Sequence, residues 1–171
     1  GWLFNHEGTR RGEEFVTRKI TKGVAQILKD ISKGETPTPL VLGNLDAVRD
    51  WSDAEDMVDA IWRMLNQDVY RHDVADMIKN FDNSGHILLP REINPVWHSL
   101  IVKNLREYVV GSGTPHTIRE FVSEAFDCAN IAGRWVKGRS PLEETFVSNN
   151  TVLVKVDKAF YRPAEVEYLH A

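Results

Sequence analysis

The densest polar stretch able to do chemistry is Asn5-His6-Glu7-Gly8-Thr9-Arg10-Arg11-Gly12, lying between the apolar run Trp2-Leu3-Phe4 and the first turn of a helix-like segment. Two neighbouring guanidinium groups flanked by glycines offer forked donors to a phosphate, each charge-assisted bond contributing about 1.5 to 3 kcal/mol. In α/β sheets, ligands collect where strand carboxyl ends open into a crevice. The stretch reads either as a mobile anion clamp or as a solvated turn with incidental charges. Spacing alone leans to the second, because loop charges are mostly just hydrated.

His6-Glu7 opens like a zinc-protease helix motif, which needs a second histidine at position 10, where this chain has Arg10. The other histidines, His72, His86, His98, His116 and His170, have no ligand spacing, so no metal is expected. Gly111-Ser112-Gly113 starts like a dinucleotide fingerprint, but His116 stands where the third glycine belongs and Pro115 stiffens the turn. It reads as a plain strand-to-helix turn. Gly43-Asn44 and Arg49-Asp50-Trp51 precede a predicted helix start, whose N–H groups and positive dipole end favour an anion. The alternative there is a packed loop with Trp51 in the core and Arg49 paired to a carboxylate. Arg162-Pro163-Ala164-Glu165 is ambiguous by itself.

These residues need elements to position them. Trp2 to Phe4 predict a buried strand, followed by a polar turn from His6 to Gly12. From Glu13 to Ile31 a helix is expected, with Phe15, Val16, Ile20, Val24, Ile27, Leu28 and Ile31 on its apolar face. Gly34, Pro37 and Pro39 end it, and Leu40 to Leu42 form a short strand closed by Gly43-Asn44. Ser52 with Glu55 three residues on predicts a capping box, starting a helix whose apolar face is Met57, Val58, Ile61, Trp62 and Leu65. Between 66 and 106, Asn83-Ser84-Gly85, Pro90 and Asn94-Pro95 divide weakly periodic stretches such as Val74 to Phe81 and Val96 to Leu105. Tyr108 to Val110, the glycine turn and a second capping box from Thr117 to Glu120 give strand, turn and helix, the last carrying Phe121, Val122, Ala125 and Phe126. Trp135-Val136 and the alternation Val152, Val154, Val156 add strands. Alternating strands and helices make the fold class α/β.

At 171 residues, with 42% hydrophobic and 27% charged side chains, the chain suits one ordinary globular domain, and no stretch is apolar enough to span a bilayer. A net charge of −4 gives no overall attraction to nucleic acid or anionic lipid, so neither is an expected partner. The single cysteine, Cys128, fits a reducing, cytoplasmic location. The chain opens on an apolar run without methionine and stops at Glu167 to Ala171 without a helix-ending glycine or proline, so a fragment is expected.

Taken together, four ordered motifs resemble the carboxyl-terminal half of the GDP-mannose 4,6-dehydratases, a family of extended short-chain dehydrogenase/reductases. They are Leu3-Phe4-Asn5-His6-Glu7 with Arg10-Arg11-Gly12; Phe15-Val16-Thr17-Arg18-Lys19-Ile20; Leu42-Gly43-Asn44-Leu45-Asp46 with Arg49-Asp50-Trp51; and Tyr161-Arg162-Pro163-Ala164-Glu165-Val166. Sugar-nucleotide epimerases of the same superfamily usually carry an Asn-Pro-type strand end in place of Asn5-His6-Glu7. The resemblance implies the carboxyl-terminal part of an NAD(P)-binding Rossmann-like fold with its smaller substrate-binding domain. Residues 1–65 would hold the double-arginine loop and substrate segments, 66–106 an atypical insertion, and 107–171 the last sheet strand and further substrate-binding region.

By the same resemblance, His6, Arg10 and Arg11 would bind NADP, the two arginines reaching a neighbouring subunit's cofactor in a homo-oligomer, a dimer or tetramer. Asn5, Val16, Lys19, the backbone of Leu42, Gly43 and Asn44, Arg49, Arg162 and Glu165 would surround GDP-mannose. Two phosphates suit Lys19, Arg49 and Arg162, and a carboxylate such as Glu165 accepts from ribose hydroxyls. The family oxidises the sugar at C4 by hydride transfer to NADP, eliminates water across C5 and C6, and returns the hydride to C6, a first step toward GDP-fucose. Its catalytic threonine or serine, glutamate, and tyrosine–lysine pair lie upstream. No tyrosine here is followed four positions later by lysine, so the chain alone is expected to be inactive. Gly8-Thr9 replaces the family's usual Ser-Pro, predicting a less rigid arginine loop. Two rival expectations are a non-catalytic remnant that keeps nucleotide-sugar or oligomer contacts, and a different nucleotide-sugar dehydratase or epimerase.

Overall fold

The spacing of Ile20, Val24 and Ile27 becomes the buried stripe of α1 (Val16–Ser32) in a computed structural model that describes residues 1–66, 108–161 and 168–169. Two compact units divide the chain, one of residues 1–3 and 54–110, the other of residues 4–53 and 111–171. Val74 to Phe81, Val96 to Leu105, His72, His86, His98, Arg162, Glu165 and His170 lie outside the described residues.

In the larger unit, β2 (Asn5–Glu7) runs parallel to β4 (Val48–Asp53), pairing Asn5 with Trp51, His6 with Ser52 and Glu7 with Asp53. The strand thus claims His6 and Glu7, which sequence assigned to a turn, because the ladder satisfies their backbone groups. β4 also pairs with β6 (Pro115–Thr117), antiparallel, and with β10 (Tyr168–Leu169), parallel. A second sheet has the order β3 (Leu40–Leu42), β9 (Thr151–Val156), β8 (Thr145–Ser148), β7 (Arg134–Val136), with only β3 and β9 parallel. Asn149 and Asn150 close the β8–β9 hairpin, both at positive φ, the backbone that a two-residue turn between right-twisted strands demands.

α1 begins at Val16, not Glu13: Phe15 is extended, and its N–H donates to the Gly12 carbonyl in a preceding turn. Gly34, at φ 73°, ends it, with the Gly34 and Glu35 N–H groups donating to the carbonyls of Ile31 and Asp30. Of the expected apolar face, Phe15, Leu28 and Ile31 stay substantially exposed. The helix α3 (Ile118–Cys128) starts at the capping box foreseen: Thr117 accepts from the Glu120 N–H, and the Glu120 carboxylate accepts from the Thr117 N–H. A strand, β6, intervenes between the glycine turn and this helix. Ile20, Val24 and Ile27 of α1 join Ile118, Val122 and Phe126 of α3 and Leu42, Phe146, Leu153 and Val154 of the second sheet in one core, where Phe126 and Phe146 stack at 4.6 Å.

In the smaller unit, β1 (Trp2–Leu3) pairs in parallel with β5 (Val109–Val110), and α2 spans Ala54–Leu65. Three expectations fail here. The strand expected to be buried leaves Trp2 69% exposed, since two short strands cover neither face. Ser52 caps nothing: it belongs to β4, its Oγ makes no hydrogen bond, and the helix begins two residues later. Of the predicted apolar face of α2 only Met57 is buried, while Val58, Ile61, Trp62 and Leu65 are exposed.

Candidate functional site

The period-two alternation of β2 puts Asn5 and Glu7 on one face of the sheet and His6 on the other. Glu7 shows which face lies under α1, because Thr17 of that helix donates to its carboxylate at 2.5 Å. Trp51, the register partner of Asn5, packs on the same side against Phe121 of α3, with ring centroids 5.3 Å apart. Arg49, two residues before Trp51 on β4, shares that face. Its Nη1 donates to the Val48 carbonyl at 2.7 Å. Asn5, Arg49 and the helix that carries Val16 and Lys19 therefore lie on one side of the sheet. Val16 packs against the core. On the opposite face, the His6 Nδ1 is 3.0 Å from the Phe4 carbonyl oxygen.

The two arginines behave differently. Arg11 turns inward: its guanidinium sits 3.6 Å over the Phe15 ring, and its Nε lies 3.2 Å from the Glu7 carboxylate, an ion pair without the alignment of a hydrogen bond. Arg10 is exposed. The loop thus holds one anchored cation and one facing solvent.

A tighter cluster forms around Phe160, in the short 3-10 turn Lys158–Phe160. The Lys19 ammonium sits 3.6 Å from the centroid of its ring, a cation–π contact. Burial there holds the ammonium below the usual lysine range. Gly43 approaches the same residue from below: a Cβ at that position would overlap the Phe160 carbonyl oxygen and lie 2.8 Å from its carbon, so only glycine fits without a shift. Leu42 presents no side chain, being 2% exposed in the core, and its carbonyl accepts from the Asp157 N–H. The Asn44 side chain closes its own turn by accepting from the Asp46 N–H at 3.0 Å. Lys19 and Gly43 are thereby brought together on a residue two positions before Arg162. In β10, Leu169 is in register with Arg49.

Two polar centres escaped the sequence reading. Asp50 is 1% exposed, and its carboxylate accepts from the Ser112 N–H and hydroxyl and the Gly113 N–H. Arg119 of α3 bonds Asp46 and the buried Glu144. Among the described residues no three His, Cys, Asp or Glu side chains converge as a metal site, and no helix is long and apolar enough to cross a membrane. An apolar groove of about 380 Å³ between α1 and α3, lined by Val24, Leu28, Phe121 and Ala125 among others, contains none of the candidate residues.

A sequence model of the GDP-mannose 4,6 dehydratase family matches residues 1–86. The GDP-mannose 4,6 dehydratase of Dictyostelium discoideum is 35% identical over 170 residues, covering 99% of this chain and 36% of the relative. That of Drosophila melanogaster is 36% identical over 172 residues, covering 99% and 33%. The GDP-mannose 4,6-dehydratase of Vibrio cholerae serotype O1 is 33% identical over 180 residues, covering 99% and 37%. The chain spans about a third of the length of these relatives. Among solved structures, UDP-glucose 4-epimerase of Thermus thermophilus in complex with NAD overlaps 98% of this chain and 35% of its own, with 18% identity and a TM-score of 0.46. With the family pattern matched across half the chain, from the strand of Asn5 to Glu7 through α1 and β4, the chain belongs to the GDP-mannose 4,6-dehydratase family.

Proposed function

We propose that this chain is the GDP-mannose-holding part of a dehydratase that converts GDP-mannose to GDP-4-keto-6-deoxymannose and water. The observation that carries the reading is the meeting of Lys19 and Gly43 on Phe160, with Arg49 on the same side of the sheet as α1. A partly desolvated ammonium is a strong partner for a phosphate oxygen, because little water has to be displaced from it. In this reading Lys19, Arg49 and Arg162 hold the pyrophosphate. Asn5, Val16 and the backbone at Leu42, Gly43 and Asn44 line the nucleotide sugar, and Glu165 accepts from the ribose.

The cofactor is NADP, held in part by His6, Arg10 and Arg11. The donor chemistry of Arg10 fits, since its exposed guanidinium is open to a phosphate, while Arg11 is anchored against Glu7 and Phe15 beside it. When bound, the nicotinamide supplies hydride transfer at the sugar. Arg10, the outward arm, makes the contact to a neighbouring subunit in a homo-oligomer. This chain orients the substrate and contributes no proton-transfer group, in keeping with the lack of a Tyr-x-x-x-Lys pair, so alone it binds GDP-mannose without turning it over.

Isothermal titration of the chain with GDP, UDP and dTDP tests the reading. Heat from GDP alone supports it. Equal binding of all three, or none, overturns it, and release of 4-keto sugar by the chain overturns the division of labour.

A further inference from the structure

Phe160 stands outside the four motifs and is not among the residues proposed to touch the ligand, yet two of the candidate binding residues meet on it. Its ring is half exposed, so hydrophobic burial alone does not explain its placement. The ring lies 3.6 Å from the Lys19 ammonium, and the absence of a side chain at Gly43 lets the Phe160 carbonyl seat against the β3 turn. The Tyr161 N–H closes the turn onto the Lys158 carbonyl, and the Asp157 side chain accepts from the Ala159 N–H, so the backbone beneath the ring is fixed from both sides. A lysine carries four rotatable bonds, and most of that rotamer freedom is lost when it is held to a ligand. A ring face that already attracts the ammonium removes part of that cost before the ligand arrives.

We infer that Phe160 is a positioning residue for Lys19: its ring, pinned by Gly43, holds the ammonium in place to receive a diphosphate. The inference rests on the proposed function. It assigns to an aromatic side chain the ordering of the cation that binds the pyrophosphate, and it needs no contact between the ring and the ligand.

The test uses the whole chain with its lysines reductively methylated with ¹³C-formaldehyde, Lys19→Arg assigning the signal. The Lys19 dimethylammonium resonance should be displaced upfield by the ring current. Phe160→Leu should return it to the ordinary position, and Phe160→Tyr should retain the displacement. In parallel, GDP should bind Phe160→Leu about tenfold more weakly than the unsubstituted chain, with Phe160→Tyr restoring affinity. A Lys19 resonance unmoved by Phe160→Leu overturns the inference whatever GDP does, and so does unchanged GDP affinity in that variant. Failure of the unsubstituted chain to bind GDP overturns instead the reading of the site, and with it the purpose assigned to the ring, even if the resonance shifts as described.

Discussion

The carboxylate of Asp50, on the central strand β4, accepts from both the backbone N–H of Ser112 at 2.8 Å and its hydroxyl at 2.6 Å, 62 residues further along the chain. The Gly113 N–H adds a third bond at 2.9 Å. A sequence that begins like a phosphate-binding turn thus wraps an internal anion, immediately beside Arg49. Asp50→Ala leaves two backbone donors without their acceptor, at about 1 to 3 kcal/mol each, while Ser112→Ala removes only one hydroxyl. Urea denaturation should show the aspartate variant at least about 2 kcal/mol less stable than native, and the serine variant nearer 1. Equal losses would contradict this account of the turn.

Glu144, 5% exposed, is neutralised by Arg119, whose Nη2 also bonds Asp46 at 2.7 Å. Removing one partner of a buried pair strands the other, at about 3 to 5 kcal/mol. Arg119→Met should cost that much in chemical denaturation, and the double variant Arg119→Met, Glu144→Leu should recover most of it. A double variant as unstable as the single one would show that the pair itself, not the stranded charge, matters.

Acid should loosen the start of α3. The Thr117 N–H, bonding the Glu120 carboxylate, is the main cause holding that carboxyl below its ordinary value of 4.5, with a nearby His116 also contributing. The folded state therefore binds the proton less readily than the unfolded chain. The stabilisation is complete above about pH 4.5 and is lost as pH falls through the lower folded value. Glu13, lowered by Lys22, titrates in the same window, so the comparison is between variants. Glu120→Gln should flatten the acid limb relative to native, and Thr117→Ala should cost about 1 kcal/mol at neutral pH. An acid limb identical in native and Glu120→Gln would refute the assignment.

Gly43→Ala should damage both fold and site, because the new methyl meets backbone and not a flexible side chain. Overpacking of this kind costs about 1 to 3 kcal/mol. Thermal denaturation should show the loss, and added GDP should no longer raise the melting temperature. Native-like stability with full GDP protection would mean that the Phe160 carbonyl can move freely.

The parts of this fold that sequence made legible are those set by neighbours in the chain. Ile20, Val24 and Ile27 mark α1 because helical periodicity is local, and Thr117 with Glu120 marks α3 because the capping box closes within one turn. The same signature at Ser52 and Glu55 misleads, since the parallel ladder with His6 claims Ser52 for a strand. Trp2, Val58 and Trp62 read as core on hydrophobicity alone, but burial depends on what packs against them. Likewise, nothing near Asp50 in sequence points to Ser112, and nothing near Lys19 points to Phe160. Asn149-Asn150 was a readable hairpin signal, since asparagine tolerates positive φ better than other side chains. For the candidate site, motif resemblance named Lys19 and Gly43, while their meeting on Phe160 is visible only in three dimensions.

Lys19, seated on Phe160, is the cation proposed to receive the diphosphate. Titration of GDP into native chain, Lys19→Ala and Lys29→Ala tests it most directly, the last removing an exposed lysine from the far end of the same helix. One charge-assisted bond lost is worth about 1.5 kcal/mol or more, so affinity should fall at least about tenfold in Lys19→Ala and stay at the native value in Lys29→Ala. Equal affinity in all three chains would contradict the account.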